Sequence, residues 1–203
     1  MDKYLYTPQL LEKGIQYKVY SEIINELLAA GKTSGLDQSE EMVQYTRMNV
    51  QRMNRINKTI LLNNDLLLAI QQLSSKYIAL VITEAWCGDA SQIVPVFNKI
   101  AKASSGKIDL KILWRDENLD LIDQHLTNGG RAIPKLIILD AETLEELVVW
   151  GPRPKIIQDL ITEWRQDPLL THADWAERAH AWYGKDKTQE TQKELKNVIL
   201  KLK

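Results

Sequence analysis

The chain of 203 residues contains one cysteine, Cys87. A single thiol closes no internal disulfide and supplies too few sulfurs for a structural zinc site. The three histidines, His125, His172 and His180, are scattered, and their spacing reads as ordinary helical residues rather than metal ligands. No run approaches the roughly 18 apolar residues of a membrane span. Neither sign of charge dominates: 26 Lys and Arg face 27 Asp and Glu, so the net charge of −1 creates no global field for nucleic acid. The cluster "KELKNVILKLK" reads as one charged helical face. The opening "MDKYLYTPQLLEKG" lacks the basic-then-apolar pattern and cleavage site of a signal peptide. These absences predict a cytoplasmic protein in a reducing compartment. They also predict no nucleic-acid partner, no membrane association, no metal and no organic cofactor.

What is present is ordinary globular material, 44% apolar and 26% charged, enough for a sizeable core. Thr7-Pro8 reads as a helix start, and Leu11, Ile15, Val19, Ile23 and Leu27 predict one apolar face on a helix ended by Gly31. A second helix is expected from Asp37 to about Ile56, with Met42, Tyr45, Met48 and Met53 as a core stripe. From about residue 60 the pattern changes. "NNDLLLAIQQLSS" is helical, and "YIALVITE" is a strand apolar on both faces. "ASQIVPVFNKIAKAS" is a helix containing Pro95, and "KIDLKILWRD" alternates as a strand. A short helix, "ENLDLIDQHLT", follows, then two strands, "PKLIILD" and "LEELVVW", joined as a hairpin, then the helix "RPKIIQDLITEWRQ". The order α-β-α-β-α-β-β-α predicts a parallel βαβ unit followed by an antiparallel hairpin. Beyond Asp167-Pro168 more helix is expected, with Trp175, Ala179 and Trp182 packing into the core. The expected division is a helical extension over residues 1–60, an α/β domain over 61–166 and a helical extension over 167–203.

The stretch "TEAWCGDASQIVP", Thr83 to Pro95, places Cys87 between a strand end and a helix start. There it meets unpaired backbone N–H groups and the positive end of a helix dipole, both of which favour the reactive thiolate. "AWCGDA" resembles the "WCGPC" of the thioredoxin family, with Trp86, Cys87 and Gly88 matching in place. Pro95, eight residues after Cys87, matches the proline that kinks the family's active-site helix. "RAIPKLIIL" resembles the family's cis-proline element, Ile133-Pro134 matching it. The resemblance covers roughly residues 60 to 166. It implies a three-layer α/β/α thioredoxin-like fold with a mixed sheet and helical extensions at both ends. It also implies Cys87 as the catalytic thiol, with Trp86, Gly88, Asp89, Ile133 and Pro134 around the substrate. In the family the backbone before the cis-proline pairs with an extended substrate segment, which by match falls to Ile133.

Three departures matter. Ala90 stands where the family's resolving cysteine would be, Val81 where many members carry a buried aspartate, and Asp89 where the motif has proline. The first two belong together: without a resolving thiol to serve, a buried carboxylate has only a desolvation cost. Asp89 suits a helix first turn, but its charge also opposes a thiolate at Cys87. We therefore expect a Cys87 pKa nearer a free thiol's ~8.5 than the strongly acidic thiols of oxidase-type relatives. Arg131, just before the cis-proline loop, reads as a solvated surface arginine, the alternative being attraction of an anionic partner such as a glutathione-like carboxylate.

Two readings of function follow. In the first, Cys87 exchanges with disulfide-containing or thiol-capped proteins, and the resolving thiol comes from outside: a low-molecular-weight thiol or another protein's cysteine. In the second, the fold is a non-catalytic module that binds protein segments. A third, weaker reading makes Cys87 a sensor that forms an intermolecular disulfide or a sulfenic acid.

Overall fold

A computed structural model describes residues 5–202. Its centre is a four-stranded sheet in the order β2-β1-β3-β4. The strands are β1 (Tyr77–Thr83), β2 (Ile108–Trp114), β3 (Lys135–Asp140) and β4 (Glu146–Trp150). β1 pairs parallel with β2 and antiparallel with β3, and β3 pairs antiparallel with β4. Every β1 residue is buried, as its unbroken apolar run requires of a central strand. The register sets Ala79 beside Leu110 and Ile138, and Val81 beside Ile112 and Leu136, on one face. Ile78, Leu80 and Ile82 point to the other, beside Leu139 and Ile137. Helices cover both faces, giving the three-layer α/β/α architecture.

Two of these helices matter most for the sheet. α5 (Gly88–Ala103) carries Phe97 and Ile100 against Ala79 and Ile138, and α9 (Gln189–Ile199) brings Leu195 and Val198 to the same face. The C-terminal helix is thus part of the central core. Between β2 and β3 a 3-10 turn (Arg115–Glu117) leads into α6 (Leu119–Asp123). The β3–β4 turn is held by Asp140, whose Oδ1 accepts from the backbone N–H groups of Glu142 and Thr143 at 2.9 and 2.8 Å. α4 (Asn64–Gln71) precedes β1, and α7 (Lys155–Trp164) follows β4 with Ile157 and Ile161 buried.

The flanking helices depart from the periodic reading. The single N-terminal helix is two: α1 (Pro8–Glu12) and α2 (Tyr17–Ala29). The break has a packing cause. At Gly14 a Cβ would lie 2.7 Å from the Lys111 Cβ, and Ile15 forms an antiparallel bridge with Ile112, N–H to O at 2.9 and 2.8 Å. The helix then restarts out of phase, so Tyr17, Tyr20 and Ile24 are buried and Val19 is exposed. α3 (Glu40–Thr59) is capped by Ser39, whose Oγ accepts from the Met42 N–H at 3.4 Å. Its buried stripe is Val43, Thr46, Asn49, Met53 and Ile56, so of the expected set only Met53 is core. α8 (His172–Asp186) opens with a Thr171/Asp174 capping box. It buries Ala179 and Tyr183, while Trp175 and Trp182 are half-buried. Among the described residues, no helix is long and apolar enough to cross a membrane.

Candidate active site

Cys87 is the N-cap of α5. Its backbone is extended and its Sγ accepts from the Ala90 N–H at 3.5 Å, the contact expected of a thiolate-favouring helix start. The S–H donates to the Ile133 carbonyl at 3.2 Å, and the Ile133–Pro134 bond is cis. The cis-proline loop therefore lies against the sulfur. Gly151 packs its bare α-carbon on the Pro134 carbonyl at φ 114°, where no side chain fits. Pro95 lies within α5, and Val81 and Ala90 are buried.

The thiol itself is buried, 6% exposed. Burial pushes its pKa up to about 12, with the Asp89 charge adding to the rise; the Ala90 N–H and Arg153 act the other way. The expectation of a thiol that is not strongly acidic has the right direction, but the main cause is desolvation and Asp89 comes second. Asp89 is compensated. Its Oδ2 accepts from Arg153 Nε at 3.0 Å and also from Arg153 Nη2, and its Oδ1 accepts from the Tyr183 hydroxyl at 2.7 Å. Burial beside Asp89 raises the Tyr183 pKa well above its usual range, so the phenol stays a donor.

Gly88 has its own neighbour: a Cβ there would lie 2.7 Å from His180 Nε2. The "WCG" glycine thus makes room for α8. His180 Nδ1 lies 3.2 Å from Gln92 Nε2. Burial, reinforced by Arg52, pushes its pKa down to about 4, so the imidazole is neutral at pH 7. With the Gln92 amide donating to Nδ1, the proton sits on Nε2, facing Gly88.

The turn before the cysteine is held from the N-terminal side. The Ser34 hydroxyl donates to the buried Glu84 carboxylate and accepts from the Ala85 N–H at 2.7 Å. The Asp116 N–H donates to Glu84 Oε1 at 2.9 Å, and Asn49 Nδ2 donates to the Ala85 carbonyl at 2.9 Å. Burial raises the Glu84 pKa despite these donors. Trp86 is half-buried, and the Arg115 guanidinium stacks 4.7 Å from its ring centre.

Cys87 opens onto a cleft of about 330 Å³. Of the residues expected around the substrate, all except Pro134 line it: Trp86, Cys87, Gly88, Asp89 and Ile133. Met42, Tyr45, Asn49 and Arg52 reach it from α3, and Trp175, Ala179 and His180 from α8. Sequence reasoning missed Arg52, Arg153, His180 and Tyr183, and no local signal marks them, because they arrive from three segments remote from Cys87: α3, the β4–α7 connection and α8. Arg131 is exposed and pairs in two-pronged fashion with Asp123, at 2.6 and 2.7 Å. A larger cleft of about 510 Å³, between α3 and the α8–α9 turn, is lined by residues that do not include Cys87. Among the described residues, no three His, Cys, Asp or Glu side chains converge as metal ligands.

The sequence model of the thioredoxin family matches residues 35–165. The chain belongs to the thioredoxin family. The match begins in the loop that carries Ser34's neighbours and so takes in α3 as well as the sheet. Thioredoxin 1 of Nostoc sp. is 36% identical over 70 residues, which cover 34% of this chain and 62% of that one. The chain thus spans less than two thirds of that thioredoxin's length. A crystal structure of a Pseudomonas aeruginosa protein of unknown function is similar over 100% of this chain and 97% of its own, with TM-score 0.62 and 19% identity. An HIV epitope scaffold is similar over 88% and 95%, with TM-score 0.55 and 19% identity. These two likenesses speak for the fold, which in the first extends through the terminal helices. Family membership supports a general thiol-redox or thioredoxin-fold role.

Proposed function

We propose that the protein carries out thiol–disulfide exchange with one thiol. Cys87 attacks a disulfide or a thiol-capped protein, forms a mixed disulfide, and is released by a thiol from outside the chain. The observation that carries this reading is the placement of Cys87 Sγ at the start of α5, against the Ile133 carbonyl and open to a cleft. Ala90 occupies the resolving position and the chain has no second cysteine, so the second thiol must be external. In the mixed disulfide, the Ala90 N–H and Arg153 stabilise the sulfur when it leaves as thiolate. We place the reaction in the cytoplasm, where small thiols are abundant and disulfides are kept reduced.

A second reading has its own support. A thiol with a pKa near 12 is almost wholly protonated at pH 7, which suits a binding module that has stopped turning over. The two separate in one assay. The protein is incubated with a glutathionylated protein and excess small thiol, beside the Cys87→Ser variant. Exchange predicts turnover that is lost in Cys87→Ser and rises about tenfold per pH unit from pH 7 to 9, as the thiolate fraction grows. Equal release by both proteins, at every pH and with every small thiol, rules the enzyme out and leaves the module.

A further inference from the structure

We propose that the cleft over Cys87 is a binding site for a small anionic thiol, one bearing one or more carboxylates. The thiol binds free or as the cap of a mixed disulfide. This rests on the exchange reading and names its external thiol.

The charge of the cleft is the first argument. Five arginines line it, Arg52, Arg115, Arg131, Arg153 and Arg165, with one carboxylate, Asp89. Asp89 is taken by Arg153, while Arg131 and Arg115 have Asp123 and Asp116. Among the described residues, Arg52 and Arg165 have no carboxylate within ion-pair distance. Both are nevertheless held. Arg52 Nη1 donates to Asn49 Oδ1 at 2.8 Å, and Arg165 lies 4.5 Å from the centre of the Trp175 ring. Burial and the neighbouring Arg55 oppose the charge on Arg52, which an incoming anion would relieve. The whole chain carries −1, so this positive site is local and belongs to the cleft.

Size and cover are the second argument. About 330 Å³ lies at the lower end of small-molecule sites, roughly 300–1,000 Å³. α8 overhangs it through Trp175, Ala179 and His180. Ile133, which would pair with an extended peptide, is buried, and its carbonyl already accepts from Cys87. A compact anion fits this space better than a protein strand.

The chemistry balances with the small thiol as reductant. The Cys87 thiolate attacks the cap sulfur of a capped protein thiol. That S–S bond breaks, the protein sulfur leaves and takes a proton from water, and Cys87 now holds the small thiol as a mixed disulfide. A second small thiol, deprotonated, attacks the cap sulfur. The Cys87 thiolate leaves and is reprotonated, and the two small thiols depart as their disulfide. One disulfide is reduced and one is formed.

The test separates binding from exchange. S-methylglutathione carries carboxylates but no reactive sulfur, and its binding to the full chain is measured by calorimetry beside S-methylcysteamine, a cationic thioether. The proposal expects the anion to bind at least ~10-fold more tightly, a difference of ~1.4 kcal/mol. It expects that preference to weaken with salt and to collapse in the Arg52→Gln/Arg165→Gln double variant. The Arg52→Lys/Arg165→Lys pair, which keeps the charge, should retain most of it and shows that the fold survives substitution. Equal affinity for both thioethers, or a preference unchanged in the glutamine pair, overturns the proposal. The reactions of Cys87 with glutathione disulfide, cystamine and 2-hydroxyethyl disulfide are followed separately by intact mass. Failure with all three overturns the exchange reading, whereas exchange without anion preference overturns only the anionic site.

Discussion

Every residue of β1 is buried, and Ala79 packs among apolar residues of the adjacent strands, α5 and α9. A few residues later the chain enters a different environment. Around Cys87 the contacts are polar, directional and long-range: Ser34 to Glu84, Asn49 to Ala85, Arg153 and Tyr183 to Asp89, His180 over Gly88. The sheet tolerates any apolar residue of the right size, because dispersion and burial are non-directional. The site does not, because each charge or hydrogen bond depends on one partner. The same burial that stabilises β1 holds the Cys87 thiol in its protonated form. Stability and reactivity are therefore set by one variable with opposite effects.

That contrast can be broken at three points. The largest effect is expected in the sheet. Leu80→Ala removes a fully buried side chain from β1 and should cost about 2–5 kcal/mol by denaturant unfolding. A cost below about 1 kcal/mol would mean that this strand is not the centre of the core.

The next effect is a pH limb from the site. His180 is neutral in the folded chain, with a pKa of about 4, against ~6.5 unfolded. Its contribution is fully present above pH ~6.5 and is lost as pH falls through about 4, because the unfolded chain takes up the proton first. The loss is on the order of 3 kcal/mol across that window. His180→Gln should flatten this limb while lowering stability at pH 7. A limb of the same slope in the variant would assign it to other groups.

The smallest effect concerns the thiol alone. Asp89→Asn removes the second cause of the raised Cys87 pKa and frees Arg153 to face the sulfur. Alkylation at pH 8 should quicken by about 3- to 10-fold, the equivalent of half to one pKa unit. An unchanged or slower rate would show that desolvation alone controls the sulfur.

The α/β order from α4 to α7, the buried central strand and the position of Cys87 were all legible in the residues. Strand alternation and turn residues act over a few positions, and the motif at Trp86–Gly88 with Pro95 is contiguous enough to see. The phase of α2 was not legible. Its helix is broken at Gly14 by Lys111, nearly a hundred residues away, and Ile15 leaves the helix to bridge Ile112. The stripe on α3 was misread for a related reason. Met42 and Tyr45 are half-buried along the cleft, so their apolar surface serves the cleft as well as the core.

Asp89 shows where the line falls. Its place beside Cys87, and its repulsion of a thiolate, follow from two letters of sequence. Whether that charge is free or neutralised depends on Arg153 and Tyr183, which lie 64 and 94 residues away. The sequence by itself determined the fold family, the single cysteine on the turn after β1 and the alanine at the position of a second one, because these depend on residue type and local spacing. The tertiary structure alone decided how deeply the sulfur is buried, which charges compensate one another and which two arginines of the cleft have no carboxylate partner among the described residues. Burial and ion pairing are properties of distance in space, and distant segments carry no mark of their meeting.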